Sequence, residues 1–452
     1  MSGGACLIHL LHAHFPRRTF LLGISEAFLV TLAFVVAAIA LMGATNANFM
    51  LSHQRGLFKI LVISAAFVTC IYYFDLYDSA ILSNRRVVIA RMVQVLGTTY
   101  LFLAIVYYLY PPLHVGRGIF LLGFILVAVL LLLGRHLFLA LTTLPRFAKR
   151  ALILGDGPLA ESLKMEFASR LDLGVRVVGR LNGEAFRRCA LNCQPDSVIV
   201  AMNDWRGNLP LEALLKLRSR GVTIQDGAEL YEAITGKIPI RCFRSSCLIF
   251  SDGLGARPRF IYERVGPLVF SALALLLTLP VMALIALAIR LDSAGPVIFR
   301  QRRVGQHGKV FTLYKFRTMV DGADTDDNCR PAEIADRRCT RVGRFLRRAR
   351  IDELPQLFNI LRGEMGFVGP RPFVPNQERQ LAERIPHYRQ RWLVKPGATG
   401  WAQVNRGYCV TIEDNQEKLA YDLFYIKNGS LGLDLLILFK TIKLVLLGRG
   451  GR

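Results

Sequence analysis

Four long apolar segments occupy the first third of the chain, and they constrain its fold more than any other feature. They cover residues 20–42, 57–74, 93–110 and 118–143. A helix rises about 1.5 Å per residue, so each segment is about long enough to cross a hydrocarbon core of ~30 Å, the second being the shortest. The first is also too long for the apolar core of a cleaved signal peptide. We predict a four-helix transmembrane bundle over residues 1–149, with buried helices of a soluble protein as the alternative.

Positive charges flank these segments unevenly. They cluster before the first segment, between the second and third, and after the fourth: Arg17, Arg18, Arg85, Arg86, Arg91, Arg146, Lys149 and Arg150. The other two loops carry only Arg55 and Arg117. Because cytoplasmic loops are enriched in Lys and Arg, we expect both ends of the bundle on the cytoplasmic side.

Residues 150–250 alternate between short apolar strands and helix-like segments, a pattern typical of a small parallel α/β domain. The turn after the first strand reads GDGPLA, which is close to a dinucleotide fingerprint. However, Ala160 replaces its third glycine, and Arg180 and Asn182 stand where the second strand should end in an acid. We predict a Rossmann-like domain without a dinucleotide, and bound NAD is the alternative.

A fifth apolar run covers residues 264–290 and contains Pro280, which removes a helical hydrogen bond and clashes with the preceding turn. The α/β domain before it and the basic domain after it, residues 291–452, both belong in the cytoplasm by their charge and expected chemistry. We therefore predict a re-entrant helix, broken at Pro280, that enters and leaves the membrane on one side; an ordinary kinked span is the alternative. The chain closes with an apolar run interrupted by Lys440 and Lys443, which favours an interfacial amphipathic helix.

The charge balance narrows the kind of partner. Lys and Arg number 57 against 33 acidic residues, giving a net charge of +24, which favours a polyanionic partner. The mean hydropathy of +0.37 and the multiple apolar segments exclude a typical nucleic-acid-binding protein and leave membrane lipid or a phosphorylated substrate. The nine cysteines form no CxxC pair and no zinc-binding spacing, so we expect reduced thiols.

A carboxylate pair in the basic domain is the main candidate for chemistry. Asp352 and Glu353 lie in the run RARIDELPQLFNILRG, and the positions of Pro355 and Gly363 predict a helix that begins near Asp352. Amide groups at a helix N-terminus stabilise carboxylates. Five arginines precede the pair: Arg341, Arg344, Arg347, Arg348 and Arg350. Composition alone favours a non-catalytic alternative, in which a basic helix contacts solvent or lipid and the carboxylates lie at an ordinary helix start.

Three further runs supply cations and rigid loops. YKFRTM places Lys315 and Arg317 on an apparent strand, where alternate residues share a face. The loop GFVGPRP carries Arg371, and VKPGATGWAQV carries Trp401 and Gln403. Together with the carboxylates, these runs favour a site that handles phosphate groups beside a membrane helix.

From about residue 264 to the C-terminus, the chain resembles the bacterial sugar transferase family, the monotopic polyprenyl-phosphate hexose-1-phosphate transferases. The matching runs are GPVIFRQRRVG, YKFRTM, TRVGRFLRRARIDELPQLFNIL, GFVGPRP, KPGATGWAQVN and YDLFYIKNGSLGLDL. The upstream layout resembles the large subgroup of this family. The resemblance implies a bacterial inner-membrane protein with a mainly helical, cytoplasmic catalytic domain, and it implies self-association as a homodimer.

The resemblance also implies a reaction, the first membrane step of exopolysaccharide, capsule or O-antigen synthesis. Asp352 would attack the sugar-bearing phosphate of a UDP-sugar, releasing UMP and forming an aspartyl-phosphosugar intermediate that polyprenyl phosphate then attacks. Glu353 would help to hold Mg²⁺. The expected substrate-binding residues are Lys315, Arg317, Arg347, Arg371 and Gln403, and Pro280 matches the family's helix-breaking proline.

Two positions depart from the family pattern. Leu279 precedes the proline where many members have serine, and the loop after Gln403 reads VNRG instead of VNGR. The sequence therefore does not distinguish glucose, galactose and N-acetylated sugars as the transferred sugar. A non-catalytic scaffold for glycan assembly and a nicotinamide-dependent enzyme centred on residues 151–250 are the competing functions.

Overall fold

The computed structural model describes residues 17–53, 55–77, 85–143, 148–170, 173–189, 193–202, 209–243, 246–249, 265–323, 338–407 and 411–446. The chain forms two compact units, which divide between Leu230 and Tyr231. Arg146 and Arg264, which flank predicted membrane segments, lie outside the described residues.

Helices occupy all four apolar segments of the first unit. They are α1 (Arg17–His53), α2 (Gly56–Tyr73), α3 (Arg85–Leu109) and α4 (Arg117–Thr143). Gly43, with φ at 79°, interrupts α1 one residue after the predicted end of its apolar segment. Each of the four contains a stretch long and apolar enough to cross a membrane.

The four helices are apolar on their inner and outer faces alike. Helix α1 packs against α2 and α4, and α2 packs against α3. Phe34 and Phe67 are fully buried in this packing, whereas Phe28 and Leu101 are mostly exposed. Helices that are hydrophobic all round are typical of a lipid environment.

One ion pair is buried among these helices. Glu26 of α1 accepts a hydrogen bond from Arg135 of α4 at 2.7 Å, and Arg135 also donates to the carbonyl of Leu76 at 2.9 Å. Buried charges need such partners, because removing one partner leaves the other charge unpaired in a medium of low polarity.

The predicted parallel α/β architecture is confirmed in the second half of this unit. The strands are β1 (Lys149–Leu154), β2 (Val175–Leu181), β3 (Ser197–Val200) and β4 (Thr223–Asp226), all parallel, in the order β2-β1-β3-β4. Helices α5 (Pro158–Ser169), α6 (Gly183–Cys189) and α7 (Leu211–Ser219) connect them, and α8 (Gly227–Thr235) follows β4.

Two side chains at the edge where a dinucleotide would bind contact the first turn and the first helix of this domain. Arg180 pairs with Glu161 of α5 at 2.5 Å, and Asn182 donates to Asp156 at 2.6 Å. The side chains that replace the expected acid thus bind the Gly-rich turn and its helix.

The second unit contains one long apolar helix and a domain of short elements. After α9 (Ser246–Ile249), the long helix is α10 (Gly266–Asp292). The remaining elements are β5 (Ile298–Val304), β6 (Val310–Phe316), α11 (Arg341–Ala349), α12 (Gln356–Leu361), β7 (Gly366–Val368), α13 (Pro375–Arg384), β8 (Gly397–Thr399), α14 (Trp401–Asn405), α15 (Ile412–Asn428) and α16 (Leu431–Leu446). Strands β5 and β6 pair antiparallel, and β7 and β8 pair parallel.

Helix α10 is continuous through Pro280, so the predicted break at this residue is absent. A proline inside a helix removes one backbone hydrogen bond, and here this loss does not interrupt the helix. Its C-terminal part packs against the domain through Leu275, Met282 and Ile289, which join a cluster with residues of β6 and α11. The backbone amide of Val342 in α11 donates to Asp292 at the end of α10 at 3.1 Å. The helix and the basic domain therefore form one packed body.

A segment upstream of α10 also belongs to this body. Ile238 is 2% exposed in a cluster with residues of α15, and its amide donates to the carbonyl of Ala420 at 3.1 Å. Lys427 of α15 binds Glu232 at 2.8 Å. The folded domain therefore includes residues that precede the run with recognisable sequence motifs.

Candidate active site

The carboxylate pair lies in a sharp turn between two helices. Arg350 adopts a left-handed conformation (φ 55°, ψ 22°) at the end of α11, and a 3₁₀ turn, Ile351–Glu353, follows. The next α-helix begins only after Pro355. Asp352 thus lies in the turn before an α-helix, so the dipole of that helix stabilises its charge less than a position in the first helical turn would.

Glu353 is surrounded by cations. Its Oε1 accepts a hydrogen bond from Lys315 Nζ at 2.9 Å and lies 3.4 Å from Arg371 Nη2, and its Oε2 is 4.0 Å from Arg350 Nη1. Burial alone would raise the pKa of Glu353, but the charges of Lys315, Arg371 and Arg350 outweigh it and hold the pKa well below its usual range. Glu353 is therefore ionised.

Asp352 has the opposite environment. It is 9% exposed, and within the described residues no hydrogen bond or ion pair reaches its carboxylate. Burial raises the pKa of Asp352, and the neighbouring charge of Glu353 adds to the rise, although Lys315, Arg347 and Arg371 oppose it. Its oxygens are free to bond to an incoming electrophile.

Lys315 is positioned by the β5–β6 hairpin and by a buried amide behind it. Asn359 of α12 is fully buried, accepts a hydrogen bond from the Tyr314 amide at 3.1 Å, and donates to the Thr312 carbonyl at 2.7 Å. This bracing fixes β6 on both sides of Leu313 and aims Lys315 at Glu353. Burial lowers the pKa of Lys315, and the charge of Glu353 limits the decrease.

The arginines of α11 divide between two faces. Arg347 is half-buried, its Nε donates to Thr318 Oγ1 at 2.7 Å, and its charge lowers the pKa of Asp352. The others on the helix are exposed: Arg341, Arg344 and Arg348. Of the five arginines in this run, Arg347 and Arg350 are therefore the two that act on the carboxylates.

Two predicted substrate-binding residues form their hydrogen bonds with other groups than the carboxylates. Arg317 is buried and donates from Nη2 to the carbonyl and hydroxyl of Ser293, just beyond the end of α10, at 2.7 and 2.9 Å. Gln403 donates weakly to the Ala398 carbonyl at 3.5 Å. Across the described ranges, no hydrogen bond joins either one to Asp352 or Glu353.

The backbones of the loops that carry Arg371 and Gln403 pack closely against each other. A side chain at Gly397 would place its Cβ 2.1 Å from the Gly369 nitrogen, and one at Gly400 would place it 2.2 Å from the Gly369 oxygen. Only glycine permits this approach. The contact sets Arg371 beside the cleft that is also lined by Lys315 and Arg303.

Sequence reasoning did not assign a role to four buried or half-buried residues of this region. They are Arg303, Arg350, Asn359 and Arg391. Asn359 and Arg391 lie in helical segments where a polar residue usually faces solvent, so spacing carries no sign of their burial. Arg303 and Arg350 lie within the quoted basic runs, where nothing distinguishes them from their exposed neighbours.

The chain is similar in sequence to known proteins, and the similarity covers the residues of this site. Residues 259–448 match the family model described as bacterial sugar transferase. A UDP-N-acetylgalactosamine-undecaprenyl-phosphate N-acetylgalactosaminephosphotransferase from Aeromonas hydrophila is 40% identical over 225 residues, covering 50% of this chain and 52% of that protein. An undecaprenyl-phosphate glucose phosphotransferase from Komagataeibacter xylinus is 35% identical over 329 residues, covering 69% of this chain and 61% of that protein.

The chain spans between about half and three fifths of the length of these two relatives. The second alignment is longer than the stretch from residue 259 to the C-terminus, so the similarity extends upstream of the family match. A shorter relative from Caulobacter vibrioides, named UDP-glucose:undecaprenyl-phosphate glucose-1-phosphate transferase, is 46% identical over 182 residues, which cover 68% of it. With two thirds of a relative covered at this identity, the chain belongs to the bacterial sugar transferase family.

Proposed function

We propose that the protein transfers a sugar-1-phosphate from a UDP-sugar to polyprenyl phosphate and releases UMP, as the first membrane step in the synthesis of an exopolysaccharide, capsule or O-antigen. The observation that carries the proposal is the contrast between Asp352 and Glu353. One carboxylate is buried and free, and its neighbour is held by three cations. The names of the relatives agree with the acceptor and with the reaction class.

In the first step, an Asp352 carboxylate oxygen attacks the sugar-bearing phosphorus. A new O–P bond forms as the bond from that phosphorus to the bridging oxygen breaks, and UMP leaves with the bridging oxygen. In the second step, an oxygen of polyprenyl phosphate attacks the same phosphorus and restores the carboxylate of Asp352. The product is a polyprenyl diphosphate sugar.

The cations near the pair suit a diphosphate substrate. Lys315, Arg347 and Arg371 surround the carboxylates, and each opposes the build-up of negative charge on the transferring phosphoryl group. Because Glu353 already occupies Lys315 and Arg371, the substrate must share these cations with it. Arg317 and Gln403 remain candidates for more distant contacts, with the sugar, the nucleotide or the lipid.

We propose that Mg²⁺ binds here together with the substrate phosphates, which would compete with Glu353 for its cations and free its oxygens for the metal. Among the described residues no group of three or more metal-binding side chains occurs, so a dedicated protein cage is not available. Mg²⁺ is commonly held by one or two carboxylates together with substrate phosphates, and Glu353, adjacent to Asp352, offers such oxygens. When bound, the metal would neutralise charge on the diphosphate and on the departing UMP.

The packing of α10 supports a re-entrant placement. Apolar contacts from Leu275 to Ile289 hold the helix on the basic domain, which leaves about nine residues, roughly 13 Å, before the first of these apolar contacts. That length is too short to cross a hydrocarbon core of ~30 Å. Leu276, Leu284 and Leu291 are mostly exposed along the helix and suit contact with acyl chains.

Two further surfaces suit contact with a membrane. Phe345 is exposed on the basic face of α11, and Leu435 and Phe439 are exposed on α16. Apolar side chains flanked by Lys and Arg are typical of helices at an anionic lipid surface. We therefore propose that the catalytic domain lies on the cytoplasmic side of a bacterial inner membrane. Separately, we propose that the protein forms a homodimer, which chemical cross-linking tests.

The test is UMP release by purified protein across a panel of UDP-hexoses and UDP-N-acetylhexosamines, with and without polyprenyl phosphate and Mg²⁺. We expect one or a few donors to release UMP, and mass spectrometry to detect a sugar-phosphate adduct on the peptide that contains Asp352. Asp352→Asn should abolish both signals. Equal UMP release by the wild type and Asp352→Asn would refute the catalytic assignment and favour the scaffold function.

A further inference from the structure

The short loop that carries Arg371, residues 369–373, has few backbone N–H groups that can donate hydrogen bonds. Its sequence is Gly-Pro-Arg-Pro-Phe, and proline has no backbone N–H, so Pro370 and Pro372 donate no hydrogen bonds. A residue before proline is also restricted to extended conformations, which applies to Arg371 itself. We call this segment the Arg371 loop. Its first residue is held by the Gly369 amide, which donates to the Thr399 carbonyl at 2.9 Å, and the residues that follow are held largely through their carbonyl oxygens.

Four consecutive carbonyls of the Arg371 loop each accept a hydrogen bond. The donors are the Gly397 amide to Pro370 (3.1 Å), Arg391 Nη2 to Arg371 (2.8 Å), Arg303 Nη1 to Pro372 (3.1 Å) and the Val304 amide to Phe373 (3.0 Å). Two of these donors are backbone amides, and two are guanidinium groups. The guanidinium groups bind the carbonyl of Arg371 itself and the carbonyl of the residue that follows it.

Arg391 is itself fixed by buried partners. Its side chain is 3% exposed, Nε donates to Asp422 at 2.8 Å, and Nη1 donates to Glu378 at 3.1 Å and to the Tyr388 hydroxyl at 2.7 Å. These contacts hold its remaining terminal nitrogen toward the Arg371 carbonyl. A planar group with several fixed donors can serve these partners together, which a lysine ammonium cannot do with the same geometry.

Arg303 binds the loop from the opposite side. It lies on β5, donates to Gln301 on the same strand, and reaches the Pro372 carbonyl across the narrow cleft that Lys315 and Arg371 also line. Hydrogen bonds from a charged donor are stronger than those between neutral groups. The loop is thus held between β5 and the 3₁₀ segment Tyr388–Leu393.

We infer, on the basis of the proposed function, that Arg303 and Arg391 are positioning residues that fix the Arg371 loop so that the Arg371 guanidinium faces Glu353 and the substrate phosphate. Arg391 acts through the Arg371 carbonyl, since its described partners lie within the domain core. Arg303 acts through the Pro372 carbonyl. The reach of Arg371 to Glu353, 3.4 Å, depends on both.

The test combines hydrogen exchange with a double-mutant cycle in the full-length protein. Arg303→Met should speed amide exchange in the peptide that covers residues 366–373 at least about tenfold, with peptides of the first unit unchanged. Arg303→Lys keeps a charged donor and should restore most of the protection. Arg391→Lys should act in the same direction, and Arg303→Met keeps the inference testable if Arg391→Lys does not fold. Unchanged exchange in this peptide for Arg303→Met would overturn the inference, whatever the catalytic activity.

The kinetic arm separates positioning from general stability and from direct electrostatics. Arg303→Met should lower kcat/KM for the active UDP-sugar about tenfold in the wild-type background. In the Arg371→Met background the same substitution should change it less than about twofold, because no guanidinium remains to be positioned. An equal fold-change in both backgrounds would mean that Arg303 acts directly on the substrate or on folding, and would overturn the inference. If the wild type releases no UMP from any donor, the proposed function fails, while the exchange measurement still decides the loop contacts.

Discussion

Asp352 and Glu353 are neighbours in the chain with opposite electrostatic environments. The Glu353 carboxylate lies within 3.4 Å of Lys315 and Arg371, whereas burial without a hydrogen-bonding partner raises the pKa of Asp352. Paired carboxylates whose pKa values are pushed apart commonly have separate chemical roles. The contrast leads to opposite predictions for the two side chains.

We predict that Asp352→Asn raises the free energy of unfolding near neutral pH and removes activity. The raised pKa means that the ionised Asp352 is less stable in the folded chain than in the unfolded chain, so ionisation lowers stability as the pH rises through the unfolded-state pKa toward the folded one. An asparagine avoids this penalty. UMP release should fall more than about a thousandfold, as expected for loss of a nucleophile. Thermal unfolding in detergent checks the stability, and a lower Tm for this variant would contradict the prediction.

Glu353→Gln should lower the free energy of unfolding. It leaves Lys315, Arg371 and Arg350 without their shared carboxylate, and breaking a buried ion pair typically costs about 3–5 kcal/mol. Because the pKa of Glu353 is lowered, its contribution is present above the unfolded-state pKa and is lost as the pH falls below it. The Tm difference between wild type and Glu353→Gln should therefore shrink in acid. A difference that is independent of pH would argue against the ion pairs.

The pH dependence of UMP release should have two limbs set by buried groups. Asp352 must be ionised to attack, so activity should fall in acid at a pH above its ordinary pKa of 3.8. Lys315 must be charged, and its lowered pKa should bring the alkaline limb below its ordinary value of 10.5. Lys315→Arg keeps the charge at high pH and should move the alkaline limb upward. An alkaline limb that does not move in this variant would assign it to another group.

Much of the membrane part is predictable because lipid imposes a simple requirement, a continuous apolar helix of sufficient length. The contacts between residues that are distant in the chain are not predictable in this way. Glu26 and Arg135 stand far apart in the chain, and nothing in either local sequence indicates that they pair. Likewise, composition alone favours an ordinary helix start at Asp352, and only the neighbouring motifs, taken together, indicate a catalytic residue.

The prediction for Arg317 illustrates a physical limit of sequence patterns. Alternation places Lys315 and Arg317 on one face only while the strand continues, and β6 ends at Phe316. The chain turns there, and Arg317 binds Ser293 instead of joining the carboxylates. The predicted start of the next helix near Asp352 was also wrong. Pro355 occupies the N-cap position, so the α-helix begins at Gln356, after the carboxylate pair.

Metal removal should abolish UMP release. We expect a chelator to reduce the activity of the wild type to background and added Mg²⁺ to restore it, since Glu353 with substrate phosphates offers suitable oxygens. Glu353→Asp retains the charge with a shorter side chain and should require a higher Mg²⁺ concentration for half-maximal activity. Undiminished activity after exhaustive chelation would contradict the metal's role.

The segment before α10 should stabilise the catalytic domain. The Trp401 indole, 2% exposed, donates to the Gly236 carbonyl at 2.9 Å, so residues upstream of the family match hold a loop of the catalytic domain. Ile238→Ala should lower the free energy of unfolding by about 2–5 kcal/mol through the cavity it leaves. Leu211→Ala, at an exposed position, is the matched control and should change it by less than about 0.5 kcal/mol. Equal effects of the two substitutions would show that the segment is not part of the folded domain.

The two ends of α10 should lie on the same side of the membrane. In a cysteine-free background, Val265→Cys and Leu291→Cys place single thiols at exposed positions at its ends. A membrane-impermeant maleimide should label neither in intact spheroplasts and both after permeabilisation, because the domain packed along the helix leaves too little of it to cross. Tyr110→Cys, in the loop between α3 and α4 that the charge pattern places outside, is the positive control and should be labelled in intact spheroplasts. Labelling of Val265→Cys or Leu291→Cys alone from outside would mean that α10 crosses the membrane.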